Sequence, residues 1–263
     1  MSKKNKSGLM YEDRIENIGL IEGCPFGCVY CKFRILHNRF AIKKEDVNYT
    51  PHIHEERFKK RPKATTGDQF VTIGLNGDIS RASDEVMLRI IQYCKDWKDR
   101  TFLLQSKNPE RFMAFEFPDN VILGTTIETN RGQIWNPATA PRFIDLMNYS
   151  DISKAPEPYE RYFFMSKLTK NRKYVTMEPI LDFDVNVMVY QMRRIKPTVV
   201  YIGYNTSNIK LPEPTLAKTQ ELITKLRELG ITVKEKKMRP AWYESSPEEK
   251  EHLKALRESH TEA

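Results

Sequence analysis

Three thiols stand within residues 24–31 of this chain, and no other grouping in it is as reactive. Cys24, Cys28 and Cys31 form a C-x3-C-x2-C arrangement inside Gly-Cys-Pro-Phe-Gly-Cys-Val-Tyr-Cys, residues 23–31. Pro25 and Gly27 lie between the thiols and disfavour a regular helix. A loop that curls the three sulfurs toward one point is therefore expected. Iron–sulfur clusters are usually held by four thiolates, so three would leave one iron open to another ligand. Two plainer readings stand beside this one. A Cys3His zinc site could take His37 as its fourth ligand. Three unrelated thiols could also pack as small hydrophobes.

Strands that end in polar residues would position such a site. Residues 18–21 read as a short apolar strand leading into the cysteine loop. Residues 70–75, 101–105, 121–127, 174–177 and 198–203 read as further strands, with 231–233 as a short last one. Their ends carry Asn76-Gly77-Asp78, Ser106-Lys107, the series Thr126, Glu128 and Asn130, then Glu178, then Gly203-Tyr204-Asn205. Thr126, Glu128 and Asn130 alternate, so they share one face. Buried acids are rare unless paired, so an inward Glu128 calls for a ligand or for Lys107 as its partner.

Helices are expected at 84–97, 141–147, 159–168, 186–195, 215–229 and 246–259, with Gly230 closing the fifth. A basic helix starts near residue 32, a short helical turn starts at Pro109, and residues 131–140 read as a loop around Trp135 and Pro137. Residues 43–68 read as a polar insertion, in which His52 and His54 are loop histidines with no acidic or thiol partner nearby. Alternation of strand and helix favours a parallel sheet with crossover helices. In either a barrel or a doubly wound sheet the chemistry belongs at the carboxyl ends of the strands.

The cysteine spacing, with Tyr30 before the last thiol, resembles the radical SAM superfamily, which carries C-x3-C-x-aromatic-C. The strings at 104–109 and 177–181 look like a small phage and prokaryotic branch of it, and spore photoproduct lyase is a more distant likeness. The resemblance spans most of residues 15–235. It implies an α/β fold, an open (β/α)6 partial TIM barrel of the radical SAM type. It implies a [4Fe-4S] cluster on Cys24, Cys28 and Cys31, with S-adenosylmethionine chelating the fourth iron. Reductive cleavage of that cofactor yields a 5′-deoxyadenosyl radical that abstracts hydrogen from substrate. A flavodoxin- or ferredoxin-type electron donor is the implied partner.

Asn76-Gly77-Asp78 resembles the family's Gly-Gly-Glu motif, with Asn for the first Gly and Asp for Glu. Cofactor contacts are then expected from Tyr30, Asn76, Gly77, Asp78, Ser106, Thr126, Glu128, Asn130, Gly203, Tyr204 and Asn205, and Arg34 could contact cofactor or substrate. Lys107 and Glu178 are candidates for catalysis. Cys94 reads as core, with hydrogen-atom donation as the sharper alternative. No second cysteine group is visible, so auxiliary clusters are not expected.

At 263 residues, with 40% hydrophobic content, the chain suffices for one α/β domain over 1–240 with a charged helical tail at 241–263. No run reaches a membrane span, and the basic N-terminus lacks the apolar segment of a secretory signal. Four cysteines, three of them clustered, do not suggest a disulfide framework, so a cytoplasmic location is expected. The net charge of +8 suits anionic partners, nucleic acid among them. Trp135, Trp242 and Tyr243 could stack on a base, although packing is their ordinary use. The rival class is a zinc- or cluster-stabilised nucleic-acid-binding or sensing protein without catalysis. The substrate and the oligomeric state are left open.

Overall fold

The computed structural model describes residues 11–40, 49–135, 146–207 and 209–244. In chain order the elements begin with strand β1 (Arg14–Asn17), strand β2 (Ile21–Glu22), helix α1 (Lys32–Phe40), strand β3 (His52–Ile53) and strand β4 (Phe70–Ile73). There follow α2 (Asp84–Asp96), β5 (Phe102–Gln105), β6 (Val121–Thr126), β7 (Gln133–Trp135), β8 (Leu146–Asn148), α3 (Tyr149–Ile152) and α4 (Pro158–Lys167). The last are β9 (Arg172–Met177), α5 (Val185–Ile195), β10 (Val199–Ile202), α6 (Leu216–Glu228) and β11 (Thr232–Glu235).

Seven strands pair in the order β1-β4-β5-β6-β9-β10-β11. Every pair is parallel. The sheet is open and strongly curled, a half-barrel of the partial (β/α) TIM-barrel kind expected from the sequence. Helices α2, α5 and α6 start from side-chain caps. Ser83 accepts from the Val86 amide at α2, Asp184 from Val187 at α5, and Thr215 from Lys218 at α6, each cap worth about 1 kcal/mol.

Strand residues alternate between the two faces of the sheet. Val71, Ile73, Leu104, Leu123, Val175 and Ile202 face the helices and join Met87, Ile90, Cys94, Met188 and Leu222 in the main core. The inner face is plugged by Tyr11, Phe70, Leu103, Ile122, Tyr174 and Tyr201. Two to four residues further along the strands the inner face turns polar. Tyr11 donates its hydroxyl to Gln105 and lies 3.0 Å from the Thr176 hydroxyl, and Gln105 donates to Thr126 at 2.9 Å. An apolar floor therefore sits below a polar layer at the carboxyl end of the sheet.

Several expectations need correction. The first barrel strand is β1, not residues 18–21. Ile18 and Leu20 are buried, but Gly19 takes φ +61° and bends the chain, so Ile21–Glu22 leaves the main sheet and pairs antiparallel with His52–Ile53. The last short strand is real and makes seven. Residues 133–135 form a strand paired with 146–148, where a loop and the end of a helix were expected. The apolar residues there read equally well at either period. Residues 141–145, the expected terminal helix at 246–259 and part of the 43–68 insertion lie outside the described residues. Among the described residues no helix is long and apolar enough to cross a membrane.

Candidate functional site

The cysteine loop is held by three distant segments. Gly23 lies beside Gly77 in an isolated parallel bridge. Its amide donates to the Asn76 carbonyl at 3.1 Å, and its carbonyl accepts from the Asp78 amide at 3.3 Å. Gly23 has φ +89°, and a Cβ there would meet the Thr50 carbonyl oxygen at 2.2 Å, so only glycine fits. The Cys24 amide donates to Tyr49 at 2.8 Å, Val29 to Ile152 at 3.0 Å, and Lys154 to Phe26 at 2.7 Å. Cys31 lies directly before α1, and the Ile35 amide donates to its carbonyl.

The three cysteines pack in one cluster around Phe26 and Ala155, and none forms a disulfide. The Cys28 sulfur lies 3.0 Å from the Ser153 hydroxyl, and the Arg34 amide donates to the Cys31 sulfur at 3.4 Å. The Arg34 guanidinium covers Gly27. Burial pushes the Cys24 thiol up to about 12, with the Asp78 carboxylate and the other two thiols adding to the effect. Burial also raises Cys31.

Among the described residues, no trio of metal-ligating atoms that includes a thiol closes to within 4.8 Å. His37, the fourth ligand of the alternative zinc reading, lies against the Tyr49 ring, 5.0 Å between centroids.

Asp78 and Ser106 join the ends of β4 and β5. One Asp78 carboxylate oxygen accepts from the Ser80 amide and hydroxyl at 3.0 and 2.7 Å and from the Ser106 hydroxyl at 2.6 Å. The other accepts from the Lys107 amide at 2.8 Å. Asp78, from which the sequence leads one to expect a cofactor contact, already holds four donors. Asn76 offers its carbonyl to Gly23 and to the Tyr49 hydroxyl.

Lys107, Glu128 and Tyr30 form the centre of a buried network. Glu128, four residues past Gly124 on the inner face, has no exposed surface. It pairs with Lys107 and accepts from the Tyr30 hydroxyl. Lys107 also donates to Tyr30 at 2.7 Å. Arg161 of α4, equally buried, donates to Glu128 at 2.7 Å and to the Thr126 carbonyl at 2.8 Å. Tyr149 donates to both Glu128 oxygens at 3.2 Å. Burial alone would raise the Glu128 carboxyl, but Arg161 and Lys107 outweigh it and hold the group down at about 2. The Lys107 partner was legible in the sequence. Arg161 and Tyr149 were missed, because nothing local marks an arginine in an aromatic helix as buried.

Glu178 follows β9 on the same inner face. One of its oxygens, Oε2, is buried and has no hydrogen-bond partner. Burial raises this carboxyl, against the pull of Lys236 and Lys32. Asn130 accepts from the Asp184 amide at 2.8 Å and so caps the turn before α5.

At the end of β10, the expected cofactor-contact residues Gly203, Tyr204 and Asn205 all make contacts within the chain. Gly203 donates to Met177 and accepts from Ile180, so its backbone is already paired. Gly is needed there because a Cβ would meet Lys236 at 2.7 Å. The Tyr204 ring is fully buried, with its hydroxyl 2.8 Å from Thr219. Asn205 turns to the Ser207 and Ile209 carbonyls. Trp242 and Tyr243 are hydrogen-bonded to Leu211 and Glu213 as packing groups, while Trp135 is exposed on β7. Cys94 is wholly buried in the main core.

The two insertion histidines do have an acidic partner. Pairing of β2 with β3 sets Glu22 opposite His52, and His54 lies 3.0 Å from Glu22. The partner is remote in sequence, which is why reading the loop alone misses it. On the other side of the cysteine loop, a cavity of about 480 Å³ opens between Phe26, Asn108, Lys154 and the first turn of α4.

Neither a protein-family model nor a curated protein sequence matches this chain. Solved structures of Streptococcus suis SuiB are similar to it. SuiB alone has a TM-score of 0.46 at 12% identity over 87% of this chain and 50% of its own. SuiB bound to S-adenosylmethionine has 0.44 at 11% over 87% and 51%, and SuiB bound to precursor peptide SuiA has 0.44 at 11% over 87% and 49%. The chain therefore spans about half the length of these structures.

Proposed function

We propose that this protein is a radical SAM enzyme. The observation that carries the reading is the gathering of Cys24, Cys28 and Cys31 in one loop beside the carboxyl ends of β4, β5 and β6. The residues present fit a [4Fe-4S] cluster with one iron left open. Three free thiols gathered in one loop supply the ligands. When bound, the cluster and S-adenosylmethionine supply a carbon-centred radical that removes a hydrogen atom from a substrate.

The protein's own groups then act by position, charge and exclusion of water. Gly23 and Gly77 let two backbones approach closely beneath the first thiol. Tyr30 links the loop to Lys107 and Glu128, so the third thiol is carried by a buried, hydrogen-bonded network. The polar layer of Gln105, Thr126 and Thr176 lines the inner mouth. There the unpartnered Glu178 oxygen is free to accept a hydrogen bond from a cofactor or substrate. The aromatic floor from Tyr11 to Tyr201 closes the other end of the half-barrel.

Anaerobic reconstitution with iron and sulfide tests the reading. The expected product is brown and holds about four irons and four sulfides per chain. A colourless protein holding about one zinc would overturn it in favour of the zinc-stabilised binding module.

A further inference from the structure

A second metal-ligating group lies outside the cysteine site. Glu22, His52 and His54 each offer one ligand atom, and these atoms lie within 4.8 Å of one another. Their arrangement follows from the strand pairing. Glu22 is the register partner of His52. His54, two residues on, falls on the same side of the chain as His52. The two imidazoles meet edge to face with centroids 4.7 Å apart.

Each ring is also held by its other nitrogen. His52 Nδ1 lies 3.3 Å from the Thr50 carbonyl oxygen. His54 Nδ1 lies 3.4 Å from a Glu56 carboxylate oxygen, while its Nε2 faces Glu22 at 3.0 Å. The acceptor at His52 Nδ1 leaves its Nε2 lone pair for a metal, the ordinary outer arrangement of ligating histidines, while His54 Nε2 already faces Glu22, the carboxylate with which it would share the ion. The local charges favour a cation. Two carboxylates, Glu22 and Glu56, face one guanidinium, Arg57, which lies 3.8 Å from Glu22 and donates to the Gly19 carbonyl at 2.7 Å. His52 is exposed, so an ion can enter from solvent.

The geometry points to Glu22, His52 and His54 as a binding site for one divalent first-row metal ion, separate from the cysteine site, that clips β2 to β3. Two imidazoles and one carboxylate select zinc or its neighbours over calcium or magnesium and leave further positions for water. The clip has a structural use. β2 and β3 share only two residue pairs, and the Cys24 amide bonds to Tyr49 just beyond them. An ion across the pair would stiffen the backbone that carries the first thiol.

Cobalt(II) titration of the full chain tests this, because cobalt reports its ligands by colour. The probe is added to a Cys24→Ala, Cys28→Ala, Cys31→Ala variant and to the same variant carrying His54→Ala. The expected result is one cobalt per chain in the first, without sulfur-to-metal charge-transfer absorption, and a loss of affinity of about 100-fold in the second. Equal affinity in both, or no binding in the first, overturns the site. Should the thiol variant fail to fold, wild type and His54→Ala are compared directly. The non-sulfur equivalent must then vanish while any sulfur-bound cobalt persists, and unchanged stoichiometry overturns the site. Zinc should raise the melting temperature of the thiol variant and leave that of the thiol variant carrying His54→Ala unmoved. A protein that never assembles an iron–sulfur cluster still gives the expected result. One that assembles the cluster but lacks this ion overturns this inference alone.

Discussion

Arg161 donates to Glu128 at 2.7 Å with neither side chain exposed to solvent, and this contact ties helix α4 to the end of strand β6. Breaking a buried pair from one side leaves an uncompensated charge and costs about 3–5 kcal/mol. Arg161→Met should therefore lower the urea midpoint sharply, and Glu128→Gln should do the same. The double variant should recover part of the loss, since the two costs are coupled. Additive losses in urea unfolding would show that the two residues act separately.

The same network sets an acid limb. The folded Glu128 carboxyl is held at about 2, below the ordinary value of about 4.3. Its contribution is present above the unfolded value and is lost as pH falls from there toward 2. Melting temperature measured from pH 6 down to pH 3 should fall more steeply in wild type than in Glu128→Gln. Parallel slopes would remove Glu128 from the account.

Much of this arrangement was legible in the sequence, for physical reasons that differ by element. Strand periodicity located β4, β5, β6, β9 and β10, because buried parallel strands leave continuous apolar runs. Alternation placed Thr126 and Glu128 on one face, and scarcity of unpaired buried acids pointed from Glu128 to Lys107. Residues 18–21 misled because their apolar character serves a bend under the sheet, and only Gly19 hinted at it. Arg161, Tyr149 and the Glu22–His54 contact were invisible, since each depends on which distant segment packs where. Asp78 shows a third limit: its four donors come from neighbours that the spacing did not reveal.

Glycine at position 23 is required by space and by backbone conformation. Gly23→Ala forces a methyl to within 2.2 Å of the Thr50 carbonyl oxygen at φ +89°. Displacement of the Cys24 backbone should cut iron retained after reconstitution to well under half of the wild-type content. Full iron content in Gly23→Ala would mean that the loop tolerates movement at its first thiol.

Glu178 is a carboxyl raised by burial with one unpartnered oxygen. Its charged form destabilises the ligand-free protein above the ordinary carboxyl range, and this penalty grows as pH rises through the raised folded value. Glu178→Gln should raise the melting temperature of ligand-free protein at pH 8 by a few degrees, given that about 1 kcal/mol moves a chain of this size by about 2–4 °C. It should also weaken S-adenosylmethionine or substrate binding, measured by calorimetry. A lower melting temperature with unchanged binding would make Glu178 a structural acceptor.

Cys94 separates packing from chemistry. Cys94→Ala removes one buried sulfur from the main core and should cost about 1 kcal/mol, with iron content and cofactor cleavage unchanged. Loss of cleavage at full iron content would assign it hydrogen-atom donation.

The central claim is that three thiols leave one metal position open to S-adenosylmethionine, and release of 5′-deoxyadenosine from the reduced, anaerobically reconstituted protein tests it most directly. The account requires 5′-deoxyadenosine from wild type and none from Cys28→Ala. Wild-type protein that carries its full iron and sulfide, yet releases no 5′-deoxyadenosine when reduced with S-adenosylmethionine, would contradict it.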